Sequence, residues 1–140
     1  MRASTYLRTA AVICVFYGGG HTAGVPWTPA LGPHEQPVID AMKAVHFDAM
    51  GSSRSYWDFY VGFGLSLGLL VLVLAVLLWQ CANLARSDTR KLRPLLLTLL
   101  IGFVLITAIL AKYFFALPVL CAAAIAVCLA LALISSRASA

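Results

Sequence analysis

The stretch Ser52-Ser53-Arg54-Ser55-Tyr56-Trp57-Asp58-Phe59-Tyr60 runs directly into Val61 to Leu78, which holds no charged residue and a single hydroxyl, Ser66. That apolar run is close to the length a hydrocarbon core of roughly 30 Å demands of a helix. Trp57 and Trp79 bracket it. At 1.5 Å per residue they stand about 33 Å apart, which puts both indoles at membrane–water interfaces. An acid, a base and several aromatic rings therefore collect where a transmembrane helix enters the bilayer.

The rest of the chain agrees with a membrane setting. Of its 140 residues 62% are hydrophobic and 11% charged, well outside the averages of soluble domains. The net charge of +5 raises nucleic acid as a partner, but the basic residues are not spread over a surface. Arg2 and Arg8 precede the first apolar run, Arg86, Arg90, Lys91 and Arg93 share one loop, and Arg137 lies near the end. Charge placed this way reports topology, and no nucleic-acid partner is expected. Cys14, Cys81, Cys121 and Cys128 fall within or at the ends of apolar runs. They read as small buried hydrophobes, with no zinc-ligand spacing to the histidines and no metal expected.

Four apolar runs give four spans, over about 6–24, 56–80, 94–111 and 117–135. The first, basic-flanked and short, also has the look of a signal peptide, but no good Ala-x-Ala site follows it, and a retained helix is expected. Gly24 to Gly51 is the one long polar connection. Pro26, Pro29 and Pro33 keep its first part extended, and Trp27 suits an interface. From Gln36, Val38, Ile39, Met42 and Val45 recur at helical spacing opposite Asp40, Lys43 and His46. This predicts a short amphipathic surface helix ending near Gly51. Pro94 is expected to open the third span, Lys112-Tyr113 to mark a tight turn, and Pro118 to sit in the first turn of the fourth. Gly64 and Gly68, and the series Ala122, Ala126 and Ala130, make small faces for close helix packing. The neighbour expected at the glycines is the alanine face of the fourth span or, alternatively, a second copy of the chain. The fold class is all-α: a four-transmembrane-helix bundle in one domain over 1–140.

Orientation comes from the basic residues. With both termini and the basic loop on one side, that side holds Arg2, Arg8, Arg86, Arg90, Lys91, Arg93 and Arg137, and the other only Lys43, Arg54 and Lys112. Both termini are thus expected in the cytoplasm, with the long polar connection outside.

No phosphate loop, nucleophile elbow or metalloprotease helix is present. Spans two to four carry no charge in their interiors, unlike an ion-coupled transporter. Candidate chemistry gathers instead at the outer interface. Ser55 and Asp58 have the spacing of a capping box, which explains Asp58 without a ligand. A functional reading pairs Arg54 with Asp58, sets His21, His46 and Asp48 beside them, and rims the site with Tyr56, Trp57 and Tyr60. These eight residues are the candidate ligand-binding set. No catalytic residue is assigned, and nothing in the spacing of the two histidines demands a haem or another cofactor.

The Gly-His that ends the first span, His46-Phe47-Asp48 and the run from Ser53 to Tyr60 resemble a group of small bacterial four-helix integral membrane proteins to which no activity is attached. The layout is loosely similar to DoxX-like proteins. The resemblance implies a bacterial inner membrane and no catalytic residue. A non-enzymatic membrane protein is expected, in contact with membrane lipids and with either a second copy or a partner membrane subunit. The alternative is a binding protein or enzyme for an apolar lipid or isoprenoid-like ligand at the outer interface.

Overall fold

The computed structural model describes residues 2–24, 32–87 and 89–137, so Pro26, Trp27 and Pro29 of the polar connection lie outside the described residues. In chain order it contains α1 (Arg2–Gly24), α2 (Glu35–Ala44), β1 (His46–Ala49), β2 (Ser52–Ser55), α3 (Tyr56–Leu84), α4 (Thr89–Tyr113) and α5 (Ala116–Arg137). Among the described residues the regular elements are five helices and one two-stranded hairpin. Three helices, α3, α4 and α5, are long and apolar enough to cross a membrane. In the most apolar stretch of α3 only 17% is buried within the protein. Side chains such as Leu69, Leu70 and Val76 are exposed there and need hydrocarbon rather than water against them. α1 has spanning length at 23 residues, or about 35 Å, but Arg2, Arg8, its hydroxyls and Gly18-Gly19-Gly20-His21 leave it less apolar than the other three.

Helix boundaries depart from the sequence reading where local chemistry competes. α4 begins at Thr89 and carries Pro94 inside it, whereas Pro94 was expected to start the span. A proline at this depth lacks the N–H that would bond the carbonyl four residues back. α4 continues through Tyr113, and the Phe114 N–H donates to the Leu110 carbonyl at 2.8 Å. The turn into α5 therefore falls at Phe114-Phe115, just beyond the expected Lys112-Tyr113. Pro118 does sit in the first turn of α5, where its missing N–H costs nothing.

The chain divides into two compact units. The first comprises Met1–Tyr17 and Val71–Ala140. In it α1 contributes Ala3, Leu7, Ala10 and Cys14, spaced four, three and four residues apart and so on one helical face. They join Leu78 and Ala82 of α3, Leu96 of α4, and Ile125 and Leu129 of α5 in one core. Ala122 and Ala126 are buried in the same core, so the alanine face is spent on packing inside this unit. Cys14, Cys81 and Cys128 are buried free thiols and Cys121 is half-buried. A polar clamp is tied into the apolar packing: Arg8 Nη2 donates to Asn83 Oδ1 at 3.1 Å, and the guanidinium lies 5.0 Å from the Trp79 ring centre.

The second unit is Gly18–Leu70: the end of α1, α2, the hairpin and the first half of α3. Here α1 and α3 approach closely. The His21 Nε2–H donates to the Gly64 carbonyl at 3.0 Å. Thr22 Oγ1, held by its bond to the Gly18 carbonyl at 2.8 Å, lies where a Cβ on Gly68 would be. Thr22 Cβ and the Gly18 oxygen stand 3.4 and 3.5 Å from that same point. The neighbour of Gly68 is thus α1, where the alanine face of the last span was expected. The reason is chain proximity: α1 and α3 are the two long helices of this unit, and Gly18 and Gly68 together leave room for one threonine hydroxyl.

Gly68→Ala should therefore destabilise the protein by about 1–3 kcal/mol, the usual cost of overpacking. Thr22→Ala added to it should recover most of that loss, because removing the hydroxyl leaves Thr22 Cβ at an ordinary contact distance. Denaturant unfolding in detergent measures both. Simple additivity of the two substitutions would show that the contact is not the cause.

Candidate functional site

The candidate residues belong to the second unit and depend on the hairpin. α2 stops at Ala44, the Val45 N–H donating to the Ala41 carbonyl at 3.0 Å, and the chain turns into strands instead of continuing as helix towards Gly51. β1 and β2 pair antiparallel, His46 opposite Ser55, Phe47 opposite Arg54, Asp48 opposite Ser53 and Ala49 opposite Ser52. Met50 and Gly51 make the two-residue connection with φ of 53° and 80°. Positive φ at both positions is what a type I′ hairpin turn requires. Asp48 Oδ1 accepts the Gly51 N–H at 2.8 Å, fixing the turn.

The last strand residue is also the first cap of α3. The Ser55 N–H donates to Asp58 Oδ2 at 2.8 Å, and the Asp58 N–H donates to Ser55 Oγ at 3.2 Å. This is the reciprocal capping box that the spacing predicts, satisfying two amides at the mouth of the span. Ser55 is buried, at 4% exposure, so its amide relies on the carboxylate of Asp58, which is itself exposed.

The capping box also decides the fate of Arg54. Successive strand residues point to opposite faces. With Ser55 turned in to Asp58, Arg54 is turned away, and its Nη1 donates to the Ser53 carbonyl at 2.8 Å. The expected Arg54–Asp58 ion pair does not form. Arg54 and His46 remain the basic neighbours of the Asp58 carboxylate, His46 because it stands directly across the ladder from Ser55.

The histidines do not converge on a common partner. His21 donates to Gly64 on α3, while His46 Nδ1–H donates to the Ala44 carbonyl at 3.1 Å. Asp48 is occupied with the turn. Among the described residues no group of three His, Cys, Asp or Glu side chains is placed to hold a metal ion.

Aromatic packing is what the unit does bring together. Phe47 of β1 lies 5.0 Å from the Tyr56 ring centre and 5.2 Å from Phe59. Phe59 meets Phe63 one turn on at 6.0 Å. On another face Trp57 meets Tyr60 at 5.4 Å, with Lys43 Nζ of α2 5.0 Å from the Trp57 ring centre. Trp57 is half-buried, and Tyr56 and Tyr60 are exposed. Phe47, Lys43, Phe59 and Phe63 were absent from the candidate set. The signal for Phe59 and Phe63 is their four-residue spacing on one helix face. Phe47 becomes visible only once the hairpin folds it back on α3. No family model, curated protein or solved structure matches the chain.

Two consequences can be measured. Ser55→Ala should cost about 1 kcal/mol, and Ser55→Ala with Asp58→Ala should cost little more, since both remove the same pair of bonds; two additive losses in thermal unfolding would refute the box. At the turn, Gly51→Ala should destabilise by about 1 kcal/mol, because no heavy atom lies within 4 Å of its absent Cβ and the cost is backbone conformation alone. Met50→Asn should stabilise by a few tenths, asparagine tolerating positive φ better than methionine.

Proposed function

We propose that this chain is a four-span integral protein of a bacterial inner membrane that acts without catalysis, its second unit forming a cap at the outer interface. The observation that carries this reading is how the candidate polar groups are used. Asp58 caps α3, Asp48 fixes a turn, Arg54 and His46 bond local carbonyls, and His21 ties α1 to α3. Each bond holds backbone in place where the chain passes between water and hydrocarbon. α2 has no buried residue and exposes Val38, which suits a helix lying on a lipid surface. α1 counts as the fourth span in this reading: it is shorter in apolar run but of spanning length. Exposed apolar side chains of α3, α4 and α5 then face lipid or a partner membrane subunit.

The exposed rings of Tyr56, Tyr60 and Phe63 favour a second reading, in which the cap binds an apolar, isoprenoid-like molecule. Alanine substitution of His21, His46, Asp48, Arg54 and Asp58, one at a time, separates the two. In the capping role these variants change thermal stability, and mass spectrometry of the purified protein finds no isoprenoid-class molecule bound. A co-purifying molecule of that class, lost from variants that still fold, would establish the second reading.

The basic residues set the sidedness, with both termini and the Ser87 loop cytoplasmic and Pro33 outside. Single cysteines at Ser87 and Pro33, in a background with the native cysteines replaced, should react with an impermeant thiol reagent from inside and outside respectively. Labelling of Ser87→Cys from outside intact cells would reverse the orientation.

A further inference from the structure

A groove of about 530 Å³ runs along the surface between α4 and α5, lined by Arg93, Pro94, Leu97, Leu100, Ala130, Leu133 and Ile134. It belongs wholly to the first unit and shares no residue with the interfacial cap. Its volume falls within the range of small-molecule sites. Its lining is apolar except at one end, where Arg93 stands at the start of the span. Arg93 is half-buried and makes no hydrogen bond or ion pair with any described residue. From Arg93 to Leu100 the groove follows α4 for about 10 Å at 1.5 Å per residue, so its cationic end and its apolar length are collinear. Ala130 keeps the floor open on the α5 side, where its neighbours Leu133 and Ile134 form the wall.

We propose that this groove is a binding site for an anionic glycerophospholipid, its phosphate on the Arg93 guanidinium and the first part of one acyl chain along Leu97, Leu100, Leu133 and Ile134. Charge complementarity decides the occupant. A guanidinium is a planar fork matched to phosphate oxygens. It opens an otherwise apolar groove, so a wholly apolar ligand would leave it unpaired and a free anion would leave the groove empty. Arg86, exposed in the connection that precedes α4, adds positive charge that favours an anionic headgroup over a zwitterionic one. A basic residue at the membrane surface is worth roughly a fivefold preference for acidic lipid, and a seated pair exceeds that background.

The full-length protein in nanodiscs of mixed phosphatidylcholine and phosphatidylglycerol tests this, with retained lipid counted by native mass spectrometry after release. The wild type should retain phosphatidylglycerol preferentially, and Arg93→Gln should lower that retention about tenfold or more, beyond what one surface charge supplies. Arg86→Gln, removing equal charge from an exposed position outside the groove, should lower it by no more than about fivefold. Ala130→Trp, which fills the floor and keeps Arg93, should also lower retention; with it the site stands tested even if Arg93→Gln folds poorly. Equal losses from Arg86→Gln and Arg93→Gln would overturn the proposal in favour of diffuse attraction. Retention unaffected by Ala130→Trp, or abolished by millimolar inorganic phosphate, would overturn the acyl-chain part of the site. Alanine variants of the cap residues should leave retention unchanged, which keeps this result separate from the outer reading.

Discussion

A backbone amide that enters hydrocarbon must already be paired, because no water is there to receive it. Inside a helix the ladder of bonds meets that demand, but the first turn leaves its N–H groups open. The Ser55–Asp58 box answers it for α3. It places two reciprocal bonds at the point where a strand becomes a spanning helix, with no intervening loop. The hairpin and the turn at Met50-Gly51 lie upstream of that junction, and Phe47 reaches across it to Tyr56 and Phe59 of α3. Because Ser55 serves both strand and helix, the direction in which β2 arrives and the direction in which α3 departs are set by one residue.

The same economy accounts for how side chains of catalytic type are used among the described residues. Histidine, aspartate and arginine near an interface are useful first as partners for backbone groups that would otherwise be left bare. His21 illustrates this. Its ring spans from α1 to a carbonyl of α3, one turn from the glycine that accommodates Thr22. The glycines and the histidine form one device for bringing two helices close, with the polar bond in the middle of the contact.

In the first unit, packing is almost wholly apolar and steric. Small residues of α1 sit in the core beside leucines of the other helices, and Arg8 with Asn83 and Trp79 supplies a polar registration mark. Outward faces remain apolar over long stretches, which only a bilayer or another membrane protein accommodates. The two units thus use polarity differently: the second consumes it internally, whereas in the first Arg93 leaves a cation at the mouth of a groove.

What the sequence by itself determined was everything that depends on composition and on spacing within one helix. The apolar run after Tyr60, the start of α3 at Tyr56, the Ser55–Asp58 box, the place of Pro118 and the three strongly apolar helices were legible because each is a local pattern. The hairpin was not. His46-Phe47-Asp48-Ala49 and Ser52-Ser53-Arg54-Ser55 lack the β-branched residues that mark strands. Met50-Gly51 is not an Asn-Gly or Asp-Gly turn, so Gly51 passed for the end of a helix. Only the tertiary structure decided the partners: that Gly68 meets Thr22, that Arg54 faces away from Asp58, and that Phe47 packs on Tyr56 and Phe59. The physical reason is that a partner is chosen by which backbones approach in space. A strand's pleat or a missing Cβ decides that, and neither is written in the identity of the residue that finally fills the gap.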